Sequence, residues 1–177
     1  QPLTGWWSHA EPFAFERDYR PTPGIGQMLS GTQPIVSLAL VNVGLETFKQ
    51  VDICALRRKS IALGQLLIDL MEQRCPSYGF DLISPEHAEQ RGSHVSFAHE
   101  HGYPIMKALI NAGVIGDFRA PDTVRFGIAP LYLRYSDIWD AVEILHEMMA
   151  TGSWQNEIVT NSDDADPESG RRPTRVT

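Results

Sequence analysis

Thr123-Val124-Arg125-Phe126-Gly127-Ile128-Ala129-Pro130-Leu131-Tyr132 places apolar residues at every second position, the period of a β-strand. Val124, Phe126 and Ile128 share one face, and Arg125 points to the other. A strand holds a guanidinium rigidly, and its planar fork of donors matches a carboxylate bidentately. Taken alone, such an arginine also reads as a solvated residue on an exposed strand face. The segments around it decide between the two.

Working upstream from that strand, Val114-Ile115 reads as a further short strand, and Tyr103 to Ala112 as a helix with Pro104 in its first turn and Gly113 closing it. Val95 to Ala98 and Phe80 to Ser84 supply two more strands, separated by the polar Pro85–Gly92 loop. From Ile35 to about Gln73 the apolar residues recur near helical spacing, with Pro34 suited to the first turn. A break is expected near Val51-Asp52-Ile53, where Asp52 caps a second helix, and Cys75-Pro76-Ser77-Tyr78-Gly79 ends it. Residues 1–34, rich in Pro, Gly and aromatics without a sustained period, read as an ordered loop region. Downstream, Ser136 or Asp137 caps a last amphipathic helix carrying Ile138, Val142, Leu145 and Met148. Apolar patterning stops after Trp154, and the polar stretch from Asn161 to Thr177 is expected to be disordered.

The fold class is therefore α/β. Residues 1–50 read as the end of a larger domain and the start of a connecting helix. Residues 51–155 form a small α/β domain with a mixed or antiparallel sheet packed by helices, and 156–177 form a tail. The 42% hydrophobic content is enough for a core, and a net charge of −7 argues against nucleic acid or an anionic membrane as partner. No apolar run approaches the ~18 residues of a membrane span, and Gln1-Pro2-Leu3-Thr4 lacks signal-peptide features. Cys54 and Cys75 suggest no disulfide framework and suit a reducing cytosol.

Three segments, Gly5-Trp6-Trp7-Ser8-His9, Pro23-Gly24-Ile25-Gly26-Gln27-Met28-Leu29-Ser30-Gly31-Thr32-Gln33-Pro34-Ile35 and the Val124–Tyr132 stretch, together resemble kynureninase. This family comprises pyridoxal 5'-phosphate hydrolases of the aspartate-aminotransferase fold type (fold type I), in the class-V branch that includes cysteine desulfurases. The resemblance runs in order from about Leu3 to about Ala150. The Ser-Gly-Thr and Val-Arg segments are shared by the wider branch, whereas Gly-Trp-Trp-Ser-His points more narrowly to kynureninase. It implies a cytoplasmic homodimer that hydrolyses L-kynurenine, or its 3-hydroxy form, to anthranilate or 3-hydroxyanthranilate and L-alanine. This belongs to tryptophan catabolism, on the kynurenine pathway towards NAD.

The resemblance also assigns roles by residue. Trp6 hydrogen-bonds the cofactor phosphate, and Thr32 reaches the phosphate of the neighbouring subunit. Arg125 clamps the α-carboxylate of the amino-acid substrate. From the residues alone, Trp6 and Trp7 on extended backbone send their rings to opposite sides, and Thr32 reads equally as a helix cap. His9 is expected to touch substrate, hold its loop or be a satisfied structural histidine. His94, His99 and His101 invite a zinc reading, but no Cys or carboxylate cluster completes a tetrahedral set, so they read as solvated residues at a strand end and no metal is expected.

Enzymes of this fold type hold the cofactor on a lysine that precedes the Gly-Trp segment. Lys49, Lys59 and Lys107 all fall in helical surroundings away from any such position. The chain accordingly reads as the C-terminal part of a longer enzyme, inactive without the N-terminal part that carries the Schiff-base lysine. Two alternatives stand beside this reading. One is a cysteine desulfurase or aminotransferase of the same branch, for which Cys75 is the candidate nucleophile. The other is a non-catalytic dimerisation module.

Overall fold

The computed structural model describes residues 3–157, and the chain divides after Val51 into two compact units. The expected disordered tail lies outside the described residues from residue 158 onward.

The first unit is mostly loop. A 3-10 turn at Trp6–Ser8 leads to a bridge between His9 and Pro21, and a second 3-10 turn spans Gly24–Met28. Helix α1, Ile35–Glu46, follows with Pro34 at the cap position, one residue before the first turn where it was expected. Its sequence is apolar on every side, and Ile35, Val36, Leu40 and Val43 are all exposed. A helix of that composition is ordinarily covered all round.

The second unit opens with α2, Ile53–Arg74, and the expected break before it is present. Asp52 Oδ1 accepts the Cys54 N–H at 2.9 Å and caps the helix as its position requires. Four strands follow: β1 Asp81–Leu82, β2 His94–Ala98, β3 Asp117–Arg119 and β4 Thr123–Gly127. They form one sheet in the order β1-β2-β4-β3, with every neighbouring pair antiparallel. Between the strands lies α3, Gly102–Asn111, and after them α4, Tyr135–Thr151. The alternation read in the sequence is realised directly. Val124, Phe126 and Ile128 are buried together with Val95 and Phe97, against a layer that includes Leu63, Ile105, Leu109 and Leu145 from the helices.

Two elements differ from expectation for identifiable reasons. Val114-Ile115 is not a strand, because Val114 is used to terminate α3. Gly113 adopts φ 91°, its N–H bonds the Ile110 carbonyl, and the Val114 N–H bonds the Leu109 carbonyl at 2.9 Å. This 6→1 and 5→2 pair is a Schellman termination, with glycine supplying the left-handed residue. The strand therefore begins only at Asp117. Helix α4 is capped not by Ser136 or Asp137 but by Arg134. Asp137 serves from inside the first turn, accepting the Arg134 N–H at 2.7 Å.

Of the three histidines read as a solvated strand end, His94 and His101 are exposed as expected, and only His99 departs from that reading. His99 is buried in the turn after β2, its Nδ1 accepting the His101 N–H and its Nε2 bonding the Tyr78 carbonyl, each at 2.9 Å. Since Nδ1 accepts, Nε2 carries the proton, and burial lowers the pKa of this neutral ring. Stacking of His101 on Trp154 completes a structural cluster at this end of the sheet. Nearby, Glu157 accepts a hydrogen bond from Asn111.

Candidate functional site

Arg125 lies on β4, the third strand in spatial order, with β2 on one side and β3 on the other. Across β2 it is in register with Ser96, and across β3 with Asp117. The side chain is 32% exposed, as expected of the face opposite the core, but it is not merely solvated. Its Nε donates to both carboxylate oxygens of Asp117, at 3.0 and 3.1 Å, and Nη2 donates to Oδ2 at 2.6 Å. That side-on pairing holds the Asp117 carboxyl below its ordinary pKa and raises that of the guanidinium. Arg119 reaches the same carboxylate from the edge strand, Nε to Oδ1 at 3.4 Å.

Asp117 was not singled out in the sequence, although the signal was there. Counting outward from Pro121 between two short alternating segments pairs residue 119 with 123 and 117 with 125. The expected strand at Val114-Ile115 hid that hairpin.

In the first unit, the Gly5-Trp6 and Ser30-Gly31-Thr32 segments lie side by side. A Cβ placed on Gly5 would stand 1.7 Å from the Ser30 carbonyl oxygen, so only glycine allows this approach. Trp6 is 48% exposed, and among the described residues its indole N–H has no partner. Thr32 is exposed too, and α1 begins without a side-chain hydrogen bond at its cap. The hydroxyl is therefore not consumed as a helix cap. Space is open where a Cβ of Gly31 would stand. A threonine hydroxyl, an open glycine and uncapped N–H groups near a helix start suit a phosphate.

The two tryptophans do not diverge. Because the backbone at Trp6–Ser8 is a 3-10 turn and not extended, their rings meet edge to face, 4.6 Å apart, with Phe13 against both. Trp6 borders an aromatic hollow of about 490 Å³. His9 is buried, its Nδ1 accepting the Glu11 N–H at 3.0 Å and its Nε2 bonding the Asp18 carbonyl at 3.2 Å. Both nitrogens are used within the loop, so His9 acts as a structural brace.

Lys49 is ion-paired with Glu46, Lys107 with Glu157, and Lys59 lies on α2. The Cys75 thiol is buried, and desolvation pushes it up to about 11, away from thiolate reactivity.

The family model for the kynureninase C-terminal domain matches residues 56–145, which hold most of α2, the whole sheet and Arg125. The chain belongs to the kynureninase C-terminal domain family. Comparison with whole kynureninases extends the similarity over most of the chain. It is 50% identical over 155 residues to the kynureninases of Burkholderia mallei (strain SAVP1) and Burkholderia pseudomallei (strain K96243), an alignment covering 88% of this chain. The kynureninase of Pseudomonas fluorescens is 51% identical over 154 residues, or 87% of this chain. In each case the match spans 37% of the relative, so the chain corresponds to little more than a third of the length of those proteins. Among the described residues, no helix is long and apolar enough to cross a membrane.

Proposed function

We propose that this chain forms the C-terminal part of a cytoplasmic, homodimeric kynureninase that hydrolyses L-kynurenine, and its 3-hydroxy form, to the corresponding anthranilate and L-alanine. The carrying observation is Arg125, a guanidinium fixed on a strand by one edge with donors left over on the other. Such a group fits an amino-acid carboxylate and fixes which bond of the substrate is presented for cleavage. Pyridoxal 5'-phosphate, when bound, supplies the electron sink for breaking the Cβ–Cγ bond. Trp6 and Thr32 hold its phosphate, Thr32 from the neighbouring subunit, and the cofactor lysine comes from the N-terminal part of the enzyme. The exposed apolar surface of α1 supports a place within a larger assembly. The reaction serves tryptophan breakdown on the way to NAD. High thiol pKa and burial of Cys75 weigh against a desulfurase.

The complete enzyme, given L-kynurenine, is expected to release anthranilate and alanine in equal amounts, followed by anthranilate fluorescence and amino-acid analysis. Persulfide formation from cysteine, or transamination without anthranilate, would replace this reading.

Thr32→Ala in the complete enzyme is expected to weaken cofactor retention by about 1.5–3 kcal/mol, the contribution of one charge-assisted hydrogen bond. Substrate affinity changes less. Mixed dimers with one Thr32→Ala subunit are expected to show one weakened site of two in cofactor titrations. Equal retention in variant and wild type would leave Thr32 without a phosphate role.

A further inference from the structure

We infer that Asp117 is the positioning residue for Arg125, fixing the guanidinium side-on so that its end-on fork is presented to the substrate carboxylate. The inference rests on the carboxylate-binding role of Arg125 proposed above and adds a residue to which that role assigns nothing.

A guanidinium carries five N–H donors in one plane: one on Nε, two on Nη1 and two on Nη2. Asp117 takes the Nε donor and one Nη2 donor, the side-on edge. The two Nη1 donors and the second Nη2 donor have no partner among the described residues. Nη1 and Nη2 form a second fork that accepts a carboxylate bidentately without disturbing the first. An arginine on a flexible stem must otherwise lose rotamer freedom when substrate binds. Here that cost is already met within the sheet, because cross-strand register sets Asp117 directly opposite Arg125.

Charge balance supports the same reading. Arg119 and Arg125 flank the single Asp117 carboxylate, so the trio keeps one net positive charge for an incoming anion. A field account and a positioning account predict opposite signs for neutralising Asp117. Removing its charge leaves two uncompensated guanidinium groups, which attract anions more strongly. If orientation governs instead, efficiency falls despite the greater attraction, because misplacing a substrate-binding group by about 1 Å costs on the order of 100-fold.

The test uses the complete enzyme with Asp117→Asn, Asp117→Ser, Asp117→Glu and Arg125→Ala, assayed on L-kynurenine and on its α-carboxamide. The readout is the ratio of kcat/KM for acid over amide, which isolates carboxylate recognition from general damage. Asp117→Asn and Asp117→Ser are expected to lower that ratio roughly 10- to 100-fold, with amide turnover and thermal midpoint near wild type. Asp117→Glu recovers part of it. Parallel loss on both substrates, or an unchanged or raised ratio in either neutral variant, would overturn the inference. Arg125→Ala separates the two levels. If it leaves the ratio intact, the carboxylate role of Arg125 is itself wrong. If it collapses the ratio while Asp117→Asn does not, Arg125 binds the carboxylate and Asp117 does not position it.

Discussion

Arg125→Ala in the complete enzyme is expected to lower kcat/KM for kynurenine by roughly 30- to 3,000-fold, the loss that accompanies truncation of one partner in a hydrogen-bonded charge pair. The size follows from what is left behind: a substrate carboxylate without its bidentate partner in a partly desolvated site, where the remaining Arg119 is balanced by Asp117. Arg125→Lys is expected to fail as well. An ammonium on that stem could meet Asp117 or the substrate, but it has no planar fork to engage both at once. Cofactor retention and thermal midpoint are expected to stay near wild type, because the guanidinium lies opposite the buried face of Val124 and Phe126 and its pairing with Asp117 is solvent-accessible. Steady-state kinetics, cofactor titration and thermal melts on the same preparations decide the matter. Intact turnover with a lowered midpoint would make the arginine structural.

The sheet strand that carries Arg125 was legible in the sequence because period-2 alternation is a local signal, written in Val124, Phe126 and Ile128. Helix α2 and its cap at Asp52 were equally local. Asp117 was not, since its pairing with Arg125 depends on cross-strand register, and register followed from where α3 stops. Gly113 and Val114 look like a helix end followed by a strand. The hydrogen bond from the Val114 N–H to the Leu109 carbonyl instead draws Val114 into the helix termination. The Trp6–Trp7 contact was hidden for a similar reason, because two adjacent aromatics give no hint of whether their backbone is extended or coiled into a 3-10 turn. His99 looked polar and terminal, yet two backbone partners make its burial tolerable. Sequence therefore displayed the faces of elements well, and poorly the places where one element's ending fixes another's beginning. Beside Trp6 and Thr32 the structure adds a close approach of Gly5 to the Ser30 backbone that only the missing Cβ of Gly5 permits.

The apolar core and the proposed carboxylate-binding pair lie on opposite faces of that sheet, and Leu109→Ala tests whether they are separable. Leu109 is fully buried in α3, within the same apolar core as Val124 of β4. Removing its side chain is expected to cost about 2–5 kcal/mol, combining lost transfer free energy with a cavity that rigid neighbours cannot close. The cost belongs to the second unit, so it is measured as reduced amide protection of β2 and β4 by hydrogen exchange in the complete enzyme. Ile110→Ala provides the control one residue on, because Ile110 is exposed and its truncation leaves no internal void. Where the fold remains intact, Leu109→Ala is expected to keep its acid-over-amide selectivity near wild type. The mutation removes no atom from Arg125, Asp117 or the backbone bond between Leu109 and Val114. Selectivity lost in step with protection would show that the hairpin carrying the two charged residues is held by the packing of α3, and not by its own register.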